Sequence, residues 1–251
     1  EIEMVLLVTG DPQENAKNQI PDIRGTFELH IFLGPLAPPQ EVVERFNKAC
    51  ADCPRQPMKA LFINLLFTDG TPGGNPLGVM QSSRYVTGTL WEAVQEASKD
   101  ARYFRDLGFE VLREKTEALA SNAGVPQTTT EAGSVNPKCY FEFHIRFDRN
   151  NERPPTEDER LKLLQLSSTL SKQHNACIPV SWNANPPGQY FLNLRTYHIG
   201  ESETRGVADA ITADLAKAGF TVEKVIREYV ACSDSNTELD SGWLEPPFPS
   251  F

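Results

Sequence analysis

Two stretches of the chain alternate apolar and polar residues with a period of two. Phe27, Leu29, Ile31 and Leu33 share one parity of the first, and Phe141, Phe143, Ile145 and Phe147 share one parity of the second. Alternation of this kind predicts a strand with one buried face. The two strands are also copies of one another: Phe27-Glu28-Leu29-His30-Ile31 recurs as Phe141-Glu142-Phe143-His144-Ile145, 114 residues on from Glu28 to Glu142. A second echo joins Leu107-Gly108-Phe109-Glu110-Val111 to Ala218-Gly219-Phe220-Thr221-Val222, with Arg113-Glu114 set against Arg227-Glu228. Repetition at a long period points to an internal duplication.

The elements between these anchors follow one order in both copies. In the first, a strand over 26–33 leads to Pro38-Pro39, which opens a helix carrying Val42, Val43, Phe46 and Ala49 on one side. A strand over 60–67, the Gly/Pro-rich turn 69–78 and a strand over 84–89 come next. Thr89 with Glu92 forms a capping box for a helix bearing Val94, Ala97, Ala101 and Phe104. Gly108 stops that helix in a left-handed cap, and 109–116 supplies the last strand. In the second copy the strand is 140–147, and Thr156 with Glu159 caps a helix with Leu163, Leu166 and Leu170 on its face. Strands over 177–182 and 190–197 flank the turn Asn185-Pro186-Pro187-Gly188. A helix with Val207, Ile211 and Leu215 ends at Gly219, and a strand over 220–230 closes the copy.

This order is that of the split βαβ, or ferredoxin-like, motif. The predicted fold class is therefore α+β: two tandem ferredoxin-like βαββαβ units with antiparallel sheets and helices on one face of each. The first repeat spans 26–117 and the second 139–231. Residues 1–25 hold an extra strand (2–9) and a loop, 118–138 form a linker without periodicity, and 232–251 form a C-terminal strap. Each unit leaves one sheet face bare, so the two bare faces are expected to bury each other rather than merge into one continuous sheet.

Composition narrows the function classes. A net charge of −10 opposes non-specific nucleic-acid binding, which needs a positive surface, and docking on anionic lipid. The longest apolar run, 60–67, is too short to span a bilayer. Five cysteines are too few for a disulfide scaffold of this length, and Cys50-x-x-Cys53 has no second pair to complete a zinc site. With no N-x-[ST] sequon present, a cytoplasmic protein is expected, as a monomer or homodimer.

The strand alternation places the candidate chemistry. With Phe27, Leu29 and Ile31 toward the helices, Glu28 and His30 face the other way, as do Glu142, His144 and Arg146 in the second copy. Asn193 and Arg195 share the parity opposite to Tyr190, Leu192 and Leu194 and join the same face. If the two faces meet, Glu28, His30, Glu142 and His144 converge. Such a set suits a divalent transition metal or a general acid–base pair acting on a small molecule, with Arg146 or Arg195 holding an anionic group. One E-x-H per copy is a weak motif, and the cofactor stays open. A polar layer between two sheets would use the same residues without any chemistry.

Resemblances extend this only a little. The strands bearing His30 and His144 are similar to those of the two-histidine phosphoesterases, but Phe32 and Arg146 stand where that family has Ser or Thr. Duplicated vicinal-oxygen-chelate proteins also place a metal-binding His on a first strand, yet their modules carry one helix rather than two. The segments 140–145, 191–197 and 234–243 resemble an uncharacterised family of duplicated proteins from bacteria and lower eukaryotes, over most of the second copy and less of the first. That resemblance implies the fold and transfers no site. The expected function is a small-molecule binder or enzyme with a Glu/His site between the repeats. The alternative is a non-catalytic interaction or assembly subunit.

Overall fold

The computed structural model describes residues 21–66, 77–148, 156–184 and 189–233. The expected strand over 2–9, the turns over 69–76 and 185–188 and the strap beyond residue 233 lie outside these residues. Among them the chain is α+β, with eight strands and five helices. The first half runs β1 (Arg24–Leu33), α1 (Gln40–Ala51), β2 (Lys59–Leu66), β3 (Leu77–Thr89), α2 (Leu90–Asp106) and β4 (Val111–Leu119). A short helix, α3 (Thr129–Ala132), interrupts the stretch expected to be a plain linker. The second half runs β5 (Tyr140–Asp148), α4 (Glu157–His174), β6 (Val180–Asn183), β7 (Gln189–Tyr197), α5 (Glu201–Lys217) and β8 (Thr221–Ser233).

Local chemistry accounts for the element ends. Thr89 and Glu92 form the expected capping box on α2, Thr156 and Glu159 form another on α4, and Thr128 with Glu131 does the same for α3. Gly108 and Gly219 take φ of +78° and +86° just past α2 and α5, a region costly for any residue with a Cβ. Strand β3 begins at Leu77, seven residues before the expected start, because Leu77–Ser83 pairs along β2 from Leu65 to Lys59. Gly78 had signalled a turn. Its role is instead a close approach within the strand, where a Cβ would sit 2.7 Å from Cζ of Phe62.

The eight strands form one closed antiparallel barrel in the order β1-β3-β2-β6-β7-β5-β8-β4. This corrects the expectation of two separate sheets set face to face. The halves join edge to edge, β2 to β6 (Ile63 opposite Asn183) and β4 to β8 (Ala118 opposite Tyr229), while their bare faces turn into one interior. Closure is physically favoured because it pairs the backbone groups that two open sheets would leave along four edges.

The helices lie outside, and the main hydrophobic core fills the space between them and the barrel wall. Phe27, Leu29, Ile31 and Leu33 belong to it, together with Phe46 of α1 and Phe104 of α2. Phe46, Phe104 and Phe109 stack with centroids 6.0–6.4 Å apart, and Phe141 packs on Tyr229 at 4.8 Å in the second half. The strands therefore put their apolar parity outward, toward the helices, and reserve the barrel interior for the other parity.

Candidate functional site

Polar residues of that second parity surround a cavity of about 200 Å³ inside the barrel. An eight-stranded barrel is just wide enough to be filled by side chains or to hold one small ligand. Here the wall divides. Phe32, Leu61, Ile63, Leu65, Phe191 and Ile226 make an apolar side. Glu28, His30, Lys115, Glu117, Glu142, His144 and Glu228 make an ionisable one, with Asn193 and Arg195 beside them.

Register explains why these groups meet. On β1, Glu28 lies opposite Glu117 of β4 and Tyr85 of β3, and His30 opposite Lys115 and Ser83. On β5, Glu142 lies opposite Glu228 of β8 and Arg195 of β7, and His144 opposite Ile226 and Asn193. Glu117 and Glu228 are thus equivalent positions of the two halves, 111 residues apart. The sequence echo that set Glu114 against Glu228 is out of register by three. Glu114 faces the helices instead, bonded to Ser98 and Arg105 of α2.

Each charged group is held by named partners. Glu142, 1% exposed, accepts from Nε of Arg195 at 2.7 Å and from Nζ of Lys115 at 2.5 Å. Burial opposes its charge, yet Arg195 and Lys115 hold its carboxyl well below the usual carboxylate range. Glu117 has Lys115 Nζ and His30 Nε2 each at 2.7 Å. Burial is again outweighed, by Lys115 first and then His30, and the Glu117 carboxyl is also held low. Glu28 accepts from the hydroxyls of Ser83 and Tyr85.

The histidines are fixed in orientation. The amide of Asn193 donates through Nδ2 to the Pro179 carbonyl (3.2 Å) and to Ser181 Oγ (3.0 Å), so its Oδ1 faces Nδ1 of His144 at 2.6 Å. That nitrogen therefore carries a proton, and Nε2 points to Glu228 at 3.2 Å. Burial disfavours the imidazolium, but Glu228 and Glu142 raise His144 to about 9. His30 contacts Gln81 through Nδ1, and its pKa is raised against burial by Glu28 and Glu117. Burial and the neighbouring Glu117 push Glu228 up to about 7. Its Oε1 has no hydrogen-bond partner among the described residues.

Of the seven residues singled out from sequence, Glu28, His30, Glu142, His144, Asn193 and Arg195 line the cavity. Arg146 does not. Although it shares their parity, it lies beyond the cavity lining, partly exposed, and pairs with Glu223 at 2.5 Å. A register shift between Arg146 and Phe147 falls at the same place. Elsewhere, Cys50 and Cys53 are free thiols buried in the helix-side core, where burial pushes Cys50 up to about 12. Trp182 packs in that core beside Tyr190, and His174 pairs with Asp214 at 3.1 Å outside the barrel.

Sequence reasoning missed Gln81, Tyr85, Arg113, Lys115, Glu117 and Glu228. The segment Arg113-Glu114-Lys115-Thr116-Glu117 is polar at every position, so no apolar parity marks which side chains turn inward. Pairing with the E-x-H strand was the only available signal, and it requires the register.

No family model matches the chain, and no curated protein matches it. Among solved structures, a candidate monooxygenase from Fusobacterium nucleatum subsp. nucleatum is similar at 7% identity, with a TM-score of 0.29 over 84% of this chain and 95% of that one. A likeness of this size carries no argument about activity. No helix among the described residues is long and apolar enough to cross a membrane.

Proposed function

We propose that the protein is a small-molecule-binding protein, built from two ferredoxin-like units that close around a shared Glu/His site. One observation carries this reading: a cavity of about 200 Å³ with an apolar wall facing a wall of buried ionisable groups. Charged side chains are almost never fully buried without cause, and apolar replacements of similar volume commonly stabilise a fold as well or better. A purely structural barrel of eight strands would fill its interior with aliphatic residues. This one leaves space and lines part of it with Glu, His, Lys and Arg. The ligand that fits has an apolar body, packed on Phe32, Ile63 and Phe191, and a polar end turned to the carboxylates and imidazoles.

An assembly subunit would instead require a contiguous apolar surface. Among the described residues, the large apolar side chains exposed to solvent are Tyr85 on β3, Leu107 just past α2 and Leu161 on α4.

A thermal-shift screen of small amphiphilic molecules tests the reading when run in parallel on the wild type and on Ile63→Trp, which fills the cavity from its apolar side. A ligand at a hundred times its Kd stabilises the wild type by about 2.7 kcal/mol. The substituted protein is expected to lose that shift while remaining folded. Equal shifts in both proteins, or none in either, reject the reading.

A further inference from the structure

We propose that Glu117, His144 and Glu228 form a binding site for one divalent transition-metal ion on the ionisable wall of the barrel cavity. The proposal deepens the reading of that cavity as the ligand site and rests on it only for what the metal would meet there.

Geometry provides the first support. One donor atom from each of the three side chains lies within 4.8 Å of the other two. Metal–ligand distances to oxygen and imidazole nitrogen are about 2.0–2.2 Å, which sets bound donors roughly 3–4 Å apart. The observed donors thus stand up to about 1 Å wider than in a bound set. The three groups come from three strands, β4, β5 and β8, that are neighbours in the order β5-β8-β4.

An independent observation points to a missing partner. Glu228 is 2% exposed, lines the cavity, and has an Oε1 with no hydrogen-bond partner among the described residues. A buried carboxylate oxygen left so is costly unless something else meets it.

The surroundings orient the donors as outer partners orient ligands in metal sites. Asn193 Oδ1 accepts the hydrogen bond from His144 Nδ1–H, and its amide is oriented by donating to Pro179 and Ser181, so Nε2 is the nitrogen presented to the carboxylates. His30 Nε2 sits behind Glu117 at 2.7 Å. Charge agrees as well. Four carboxylates (Glu28, Glu117, Glu142, Glu228) face the interior, and two permanent cations, Lys115 and Arg195, pair directly with members of this set. On binding, the ion forms a bond to His144 Nε2, and the proton there goes to solvent. Two carboxylates and one imidazole suit zinc, manganese, iron(II) or cobalt(II) rather than the all-oxygen sets that hold calcium.

Cobalt(II) serves as the probe because its visible absorption reports its ligands. Protein dialysed against a chelator is titrated with Co²⁺, following absorbance and calorimetric stoichiometry, for the wild type, Glu228→Gln, His144→Gln, Asn193→Ala and His174→Gln. The last alters a histidine–carboxylate pair outside the barrel. Expected are one ion per wild-type chain and per His174→Gln chain, and a loss of at least tenfold in affinity for Glu228→Gln and His144→Gln. Asn193→Ala is expected to lose about 10–100-fold through misorientation of the imidazole. Glu228→Gln keeps shape and removes a buried charge, so it decides the matter if His144→Gln fails to fold. Absence of Co²⁺ binding, or binding that Glu228→Gln leaves unchanged, overturns the metal site. The Ile63→Trp comparison, repeated on chelator-treated protein, judges the organic-ligand reading separately: organic ligands without metal reject only the metal site, and metal without organic ligands rejects only that reading.

Discussion

Glu28 and Glu142 stand at equivalent places in the two halves, each opposite a glutamate of the fourth strand and two residues before a histidine. In the second half the residue across the third strand is Arg195, and Glu142 becomes a buried carboxylate clamped between Arg195 and Lys115. In the first half the same position is Tyr85, and Glu28 is held by the hydroxyls of Tyr85 and Ser83. Tyr85 is 52% exposed, so Glu28 is held by a residue that meets solvent, whereas Glu142 is 1% exposed. Lys115 deepens the asymmetry: it reaches from the first half to the carboxylate of the second, whereas its equivalent there, Ile226, carries no charge. Duplication thus provided two matching frames, and substitution on the third and fourth strands made one a rigid ionic support and the other an accessible wall.

Neutralising the two glutamates separately is the strongest way to break this comparison. Glu142→Gln leaves Arg195 and Lys115 short of a buried counter-charge and is expected to cost about 3–5 kcal/mol in urea denaturation. Glu28→Gln removes bonds to two hydroxyls and should cost only about 1–2 kcal/mol. Equal losses would show that the halves are not differently built.

Acid should sharpen it. The folded pKa of Glu142 is held well below its unfolded value of about 4.3, so its stabilisation is present above that pH and is lost as pH falls through the folded value. In chelator-treated protein, the gap in Tm between wild type and Glu142→Gln is therefore expected to be full at pH 6 and to close progressively below pH 4. A gap independent of pH would mean that the clamp is not ionic.

The smallest effect is expected at Tyr85→Phe, which removes one hydroxyl from a partly exposed carboxylate and should cost about 0.5 kcal/mol. Its consequence belongs to the accessible wall: any ligand found in the cavity should bind with altered affinity while the urea midpoint barely moves. A stability loss as large as that of Glu142→Gln would place Tyr85 in the rigid frame instead.

Much of the framework was legible along the chain. Capping boxes at Thr89 and Thr156 and the glycines at 108 and 219 fixed helix ends through local chemistry that distant residues cannot easily override. β3 starts earlier than the sequence predicts because Gly78 signals a turn by composition, while its actual constraint is the Phe62 ring on the neighbouring strand. Arg146 was placed in the site because parity says which face a residue occupies and nothing about how far along the barrel the cavity extends.

What the residues determined alone was the direction of each side chain on the two duplicated strands. Apolar neighbours at every second position leave Glu28, His30, Glu142 and His144 only the face away from the helices. Tertiary structure decided which groups meet them there: closure through β2–β6 and β4–β8, and the register that brings Glu117 and Glu228 beside the imidazoles. The reason is physical. A two-residue period is a property of one strand, whereas register belongs to a pair, and an all-polar run such as 113–117 holds no apolar face from which its partner's alignment can be inferred.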